Sequence, residues 1–305
     1  SGELLVKGQS LADMIARDSS GTAGGSADTQ VRVMTANDHL LFLGLNSDST
    51  ACSQVAGSAA GCELQVYDIS SSTNPVYIAG RDITGNSNGT GRQSIYSLTL
   101  HGDVLYVGQE TSSTTCGQTA GSAIGCEIQV YDVSSSTNPV YVAGRDLDGS
   151  ANGVAWAQYH SITSLFAANN MLYVGVPASS TPCSQVAGSA AGCELQVYDI
   201  SSSTNPVYVA GRDMDGSTNG VNQYSDINEL SARAGFLYVV SSASNDPCGQ
   251  TSGNALGCEL QVYDISSSTN PVFVAGSDAD GTASGATNDN FFNLAISGDM
   301  LYVAK

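Results

Sequence analysis

The 305-residue chain carries 9 Lys and Arg against 28 Asp and Glu, a formal net charge of −19 at pH 7. That sign excludes nucleic acid and anionic lipid as electrostatic partners, because both require a basic footprint. Charged residues make up only 12% of the chain and apolar ones 41%, enough for a packed core, and no run approaches the ~18 consecutive apolar residues of a membrane helix.

No charged-then-apolar signal segment stands at Ser1, so the chain is expected to be soluble and either mature or excised from something longer. Residues 3–25 open with Glu3-Leu4-Leu5-Val6 and continue to Arg17-Asp18-Ser19-Ser20-Gly21. Both pieces match later segments: Glu63-Leu64-Gln65-Val66 and Arg145-Asp146-Leu147-Asp148-Gly149. Between them, Lys7 to Asp13 matches poorly, since the Ser-Ser-Ser-Thr-Asn-Pro run found in every other copy is missing.

From about residue 30 the chain is repetitive. Cys52 and Cys62 bracket Ser53-Gln54-Val55-Ala56-Gly57-Ser58-Ala59-Ala60-Gly61, and the segment beginning at Cys52 recurs from Cys116, Cys183 and Cys248. A period of about 65 residues signals a propeller or a solenoid. The eight cysteines fall as Cys52/Cys62, Cys116/Cys126, Cys183/Cys193 and Cys248/Cys258. Four equal local spacings in a Ser/Thr/Asn/Gly-rich chain favour local disulfides and an oxidising location. The rival reading, zinc, lacks a second Cys/His pair at finger spacing.

Each repeat holds four strand-like runs. In the second they are 94–100, 104–108, 127–131 and 140–144, joined by His101-Gly102-Asp103, by the cysteine loop, and by Asp132 to Pro139. Asp132 is placed to accept the following Ser amides in an Asx turn, and Pro139 stands at a strand entry, where a missing donor costs least. Four short antiparallel strands per repeat describe a propeller blade. Units are expected at roughly 26–89, 90–153, 154–220 and 221–285 of a single 1–305 domain. Residues 286–305 hold a first and a second strand, Phe291-Phe292-Asn293-Leu294-Ala295-Ile296 and Met300-Leu301-Tyr302-Val303. With 1–25 they are expected to make a fifth blade shared by both ends. The predicted fold is an all-β, five-bladed β-propeller of four-stranded antiparallel blades, with residues 1–10 pairing either with their own ring or with another molecule.

The run Leu64-Gln65-Val66-Tyr67-Asp68-Ile69-Ser70, with Asn74-Pro75-Val76 and the following Leu105-Tyr106-Val107, resembles the LVIVD-repeat propellers of bacterial and archaeal cell surfaces. The resemblance covers almost the whole chain and implies a secreted or surface β-propeller. It implies blade architecture and carries over no active residues. The cysteine loops and the long blade connections depart from it, and both are expected to share one elaborated face of the propeller.

Those connections repeat Asp146-Leu147-Asp148-Gly149, Asp213-Met214-Asp215-Gly216 and Asp278-Ala279-Asp280-Gly281. Paired carboxylates followed by Ser, Thr and Asn oxygens suit Ca²⁺; the competing reading is an Asp-Gly turn whose side chains cap local amides. Arg17, Arg81, Arg145 and Arg212 precede these aspartates, with Ser277 breaking the column; they weaken the calcium reading and are expected to form ion pairs between blades.

The third connection is three residues longer and holds Trp156, Tyr159 and His160, and Tyr224 lies in the fourth. Aromatics among Asn and Gln are the composition of a polar-ligand pocket, here a glycan site, unless Trp156 instead plugs the channel or packs on a neighbour. His39 and His101 fall in hairpin turns, and no nucleophilic triad assembles. Asp226, Glu229 and Asp289 are imaginable analogues of glycosidase acids, but they cluster on two adjacent blades, whereas such acids flank one bond. The expected role is therefore non-catalytic: a structural, extracellular subunit whose partners are copies of itself, with a carbohydrate-binding propeller as the alternative and a glycoside hydrolase as the remote one.

Overall fold

The computed structural model describes residues 5–6, 9–10, 30–46, 52, 59–71, 75–82, 93–110, 114–116, 123, 125–135, 137, 139–146, 161–178, 182–183, 190, 192–202, 205–213, 226–242, 247–249, 255, 257–267, 269–279 and 290–305. Each repeat becomes an antiparallel meander. Near the start of the chain, β1 (Leu5–Val6) pairs with β2 (Gln9–Ser10) in a two-stranded sheet of its own. Unit 1 comprises β3 (Val31–Ala36), β4 (Leu40–Leu45), β5 (Leu64–Asp68) and β6 (Val76–Arg81). Unit 2 comprises β7 (Ile95–His101), β8 (Val104–Gln109), β9 (Ile128–Asp132) and β10 (Val140–Arg145). Unit 3 holds β11 (Ser164–Ala168), β12 (Met171–Gly175), β13 (Leu195–Asp199) and β14 (Val207–Arg212). Unit 4 holds β15 (Ile227–Arg233), β16 (Phe236–Ser241), β17 (Leu260–Asp264) and β18 (Val272–Ser277).

Residues 290–305 add unit 5, a two-stranded sheet of β19 (Asn293–Ser297) and β20 (Met300–Ala304). The all-β fold of antiparallel four-stranded sheets therefore stands as expected. The expected union of the two ends in one sheet does not appear among the described pairings.

The innermost strands β3, β7, β11, β15 and β19 pack side by side in chain order, as in a propeller. Strand alternation gives every sheet two faces, and apolar side chains on them are buried against the neighbouring unit. One core lies between units 1 and 2, where Phe42, Leu64 and Val66 meet Leu98, Leu105 and Tyr131. Similar cores join unit 2 to 3, unit 3 to 4 and unit 4 to 5. The second strand keeps a glycine where the next unit's isoleucine seats: a Cβ on Gly108 would come 2.5 Å from Ile162 Cγ2.

All four cysteine pairs form the expected local disulfides, Cys52–Cys62, Cys116–Cys126, Cys183–Cys193 and Cys248–Cys258. All eight cysteines are buried, while most of the residues between them lie outside the described residues, and with them the expected face of the loops. Cys116 and Cys126 belong to the core between units 1 and 2, and Cys248 and Cys258 to the core between units 3 and 4. The bridges are thus part of the apolar packing as well as loop closures, since each loop's second cysteine lies just before the third strand and turns inward with it.

The surroundings of the second cysteine differ a little from unit to unit. The Tyr141 hydroxyl lies 3.4 Å from Cys126 Sγ, and Tyr208 stands in the same relation to Cys193 at 3.4 Å. A disulfide sulfur has no proton, so the tyrosine is the donor in both. In unit 4 Phe273 replaces that tyrosine, and Cys258 Sγ instead lies 3.2 Å from Gly249 O. Without a sulfur-bound proton this is a packing contact and not a hydrogen bond. Beneath each bridge sits a glycine: a Cβ would lie 2.6 Å from Cys126 Sγ if added to Gly144, 2.5 Å from Cys193 Sγ on Gly211, and 2.5 Å from Cys258 Sγ on Gly276.

A chain of side chains connects each bridge to its sheet. Gln196 Nε2 donates to Ala190 O at 3.3 Å and to Cys193 O at 3.3 Å, and Tyr198 OH donates to Gln196 Oε1 at 2.8 Å. The Tyr198 ring then meets Tyr208 edge to face, centroids 5.7 Å apart. Gln65 and Gln261 repeat the arrangement, Gln261 reaching Cys258 O at 3.1 Å. In unit 2 Gln129 holds Ala123 O at 3.2 Å, while Gln109 Nε2 donates to Cys126 O. The Asx turn forms as expected, with Asp132 Oδ1 accepting the Ser134 N–H at 2.9 Å.

A Cys183→Ser/Cys193→Ser double variant is expected to lose about 2–3 kcal/mol, the chain-entropy value for so short a loop. It should still fold, because stability in a repeat array is distributed over units and interfaces. Thermal unfolding measures the loss. Non-reducing peptide mapping should return four bridged fragments and no free thiol, and a bridge between units or between molecules would contradict the assignment.

Candidate functional site

Several of the residues singled out above prove to be buried. Asp146, Asp213 and Asp278, with Asp82, are fully buried just beyond the outer strand. The register pairs Ile128 with Arg145 and Leu195 with Arg212. This sets each aspartate beside the end of the third strand, where Glu127, Glu194 and their counterparts Glu63 and Glu259 are also fully buried. In unit 4, Glu259 Oε2 accepts the Ala279 N–H at 3.1 Å, so this carboxylate holds the start of the connection. These glutamates were missed in the sequence, although each follows the second cysteine of its loop (Cys62, Cys126, Cys193 or Cys258). Asp148, Asp215 and Asp280, the other halves of the calcium pattern, lie outside the described residues. Among the described residues no three His, Cys, Asp or Glu side chains converge as a metal site.

At Arg145 and Arg212 the arginine column joins units through neutral acceptors and not through the expected ion pairs; Arg17 lies outside the described residues. Arg212 lies almost fully buried at the end of β14, and it donates from Nε to Pro271 O at 2.8 Å, from one terminal nitrogen to Gly211 O at 2.7 Å, and from the other to Asn270 Oδ1. Arg145 likewise reaches Asn205 of the next unit and Gly144 O at 2.7 Å. The partners are thus the preceding peptide oxygen of the arginine's own strand and, across the interface, oxygens of the turn that opens the neighbour's outer strand. A guanidinium fork fits such a multi-acceptor site. Ser277 occupies this position in unit 4, and residues 1–25, which match the outer half of unit 5, lack the Ser-Ser-Ser-Thr-Asn-Pro turn such an arginine would reach.

The acids considered for glycosidic chemistry also bond across units. Glu229 Oε1 accepts the Ser164 hydroxyl at 2.6 Å and the Leu230 N–H at 3.0 Å, and burial pushes its carboxyl upward against the opposing pull of those two bonds. Asp226 Oδ1 accepts the Ala178 N–H at 2.8 Å. Asp289, Trp156, Tyr159, His160 and Tyr224 lie outside the described residues. His101 Nε2 lies 3.4 Å from Asn170 Oδ1 of unit 3. His39 sits in the β3–β4 turn, where its carbonyl accepts the Ile69 N–H at 2.8 Å.

What stands out is where burial fails. Phe42, Tyr106 and Tyr173 occupy one position of the second strand in units 1 to 3 and are wholly buried against the following unit. Tyr302 holds the same position in unit 5 and is 57% exposed, with Met300 on the same face 59% exposed. In unit 1, Met34 and Leu43 are likewise only half-buried, whereas Leu98 and Val107 at the matching positions of unit 2 are buried. Among the described residues no core cluster joins unit 5 to unit 1, and the first unit's own cluster draws on that unit alone. Between units 4 and 5 the turns are tied by an exposed ion pair, Arg233 to Asp299 at 2.7 Å.

No family model and no curated protein matches the sequence. Among solved structures the chain is similar to a computationally designed protein, Ika8, at 12% identity and a TM-score of 0.44, covering 91% of this chain and 56% of that one. It is also similar to an extracellular domain from B. thetaiotaomicron at 15% identity and a TM-score of 0.47, covering 92% of this chain and 26% of that one. The chain thus spans about half the length of the first and about a quarter of the second. An alpha-L-arabinanase mutant of Cellvibrio cellulosa is similar at 12% identity and a TM-score of 0.39, covering 91% of this chain and 88% of that one. These likenesses carry no functional argument. The four disulfides point to an oxidising, extracellular setting, and no helix among the described residues is long and apolar enough to cross a membrane.

Proposed function

We propose that the chain is a five-bladed, non-catalytic β-propeller of the cell surface or the extracellular medium. It works as a structural subunit that associates with copies of itself, in a filament or a similar assembly. The observation that supports this reading is the bare face of unit 5: Tyr302 and Met300 stand in solvent, although the matching aromatic of units 1 to 3 is buried. Burying such a face is worth roughly 25 cal/mol per Å² of apolar surface, and a further copy of the chain presents surfaces of matching chemistry.

Light scattering on the full chain is expected to show mass rising with concentration. Because each copy carries −19, added salt should strengthen the association by screening repulsion, and electron microscopy should then show polymers. A chain that remains monomeric at high concentration and high salt, with and without Ca²⁺, overturns the reading.

A further inference from the structure

The outer half of unit 5 is uncovered on two sides. Among the described residues β20 pairs only with β19, which leaves its other edge open. The flank of unit 4 is only partly covered as well. In units 1 to 3 the forward-facing residues of the two outer strands are buried by the aromatic pair of the following unit: Leu64, Val66 and Ala79, then Ile128, Val130 and Ala143, then Leu195, Val197 and Ala210. In unit 4 the matching Leu260 and Val262 are only half-buried and Ala275 is exposed, with its neighbour Val274 46% exposed. Two strands laid beside β20 would occupy its open edge and cover this flank together.

Residues 3–6 have the chemistry of the first of those two strands. Glu3-Leu4-Leu5-Val6 repeats Glu63-Leu64-Gln65-Val66, the opening of a third strand. Leu5 stands where Gln65, Gln129, Gln196 and Gln261 each hold a cysteine loop, and neither residues 1–25 nor 286–305 contain a cysteine. Within residues 1–10, β1 and β2 pair antiparallel, Leu5 opposite Ser10 and Val6 opposite Gln9, in a sheet separate from β20. With one Glu and one Lys, residues 1–10 are neutral and approach a strongly acidic body without electrostatic cost.

We infer that the β1–β2 hairpin of a second copy docks against β20, with β1 taking the place of the third strand of the fifth blade and β2 lying beside it over the flank of unit 4. Strand addition satisfies the open edge. Because donor and acceptor are different surfaces, the contact is heterologous and propagates head to tail unless its rotation closes. This rests on the self-association proposed above and names the surfaces that carry it.

The test uses two full-length variants. Val6→Lys places a charge at the position where Val66, Val130 and Val197 are fully buried, and it disables the donor. Val274→Lys alters an exposed side chain of the free subunit and disables the acceptor flank. Each is expected to weaken self-association by roughly a hundredfold or more, because an unpaired charge would be buried at the contact. Mixed one to one, the two variants retain one good donor and one good acceptor between them. Analytical ultracentrifugation should then show dimers and nothing longer. Wild type that polymerises while both variants also polymerise, or a mixture that stays monomeric, overturns strand donation and leaves self-association through another surface standing. Wild type that stays monomeric overturns both.

Discussion

Raising the pH from 10 towards 12 is expected to unfold this protein abruptly. Tyr77, Tyr106 and Tyr173 are pushed up to about 12 by burial, with Arg81 partly offsetting the effect at Tyr77. Tyr131, Tyr141 and Tyr208 move further in the same direction, again mainly through burial; at Tyr131 the neighbouring Tyr141, Asp82 and Glu63 add to it and Arg81 opposes it. In the unfolded chain each ionises near 10. Below that value both states hold the proton and stability is unaffected. Above it the unfolded state ionises first, so stability is lost from pH 10 until the folded groups themselves titrate. Each tyrosine removes about 1.4 kcal/mol per pH unit, and six together about 8 kcal/mol per unit, which rivals the ~5–15 kcal/mol stability of a typical domain. Circular dichroism and tyrosinate absorbance should change together in one steep step. A Tyr106→Phe/Tyr173→Phe variant should be near wild type at pH 7 and show a shallower alkaline slope. Smooth ionisation of all tyrosines with the sheets intact would contradict this account.

Arg212→Ala is expected to destabilise the chain by about 3–4 kcal/mol. The substitution strips a buried fork from Pro271 O, Gly211 O and Asn270 Oδ1 at once. Each buried acceptor left without its donor costs about 1–3 kcal/mol, of which relaxation recovers part. Arg212→Lys should rescue little, because one ammonium cannot serve three acceptors held in a fork. Arg32→Ala is the control: that side chain is exposed and lies over the Tyr96 ring at 4.4 Å, and its loss should fall within about 0.5 kcal/mol. Urea titration measures all three. An Arg212→Ala loss below about 1 kcal/mol would mean that the unit-to-unit clasp contributes little.

Repetition made much of this molecule legible from its residues alone. Four equal cysteine spacings sufficed for the disulfides, because a short loop leaves little choice of partner. Runs such as Leu195-Gln196-Val197-Tyr198 bounded by turn residues located strands to within a residue or two, because strand formation answers to local alternation and turn chemistry. The Asx turn at Asp132 followed from its own side chain. None of this required knowledge of neighbours.

Contacts between units were decided by tertiary structure. Spacing paired Cys126 with Cys116 and Cys258 with Cys248, but only the stacking of sheets set those bridges inside the cores between units. Arg212 and the carboxylates around it suggested ion pairing in the linear chain, yet the guanidinium reaches a turn some 58 residues away, an approach created only when two sheets pack. Glu63, Glu127, Glu194 and Glu259 resembled any solvated acid until the fold set them, fully buried, at the start of each third strand. The exposure of Tyr302 was equally hidden, because its local sequence matches that of the buried Tyr106 and Tyr173. Whether such a side chain is covered depends on the sheet that stacks on it, and local pattern contains no record of that sheet.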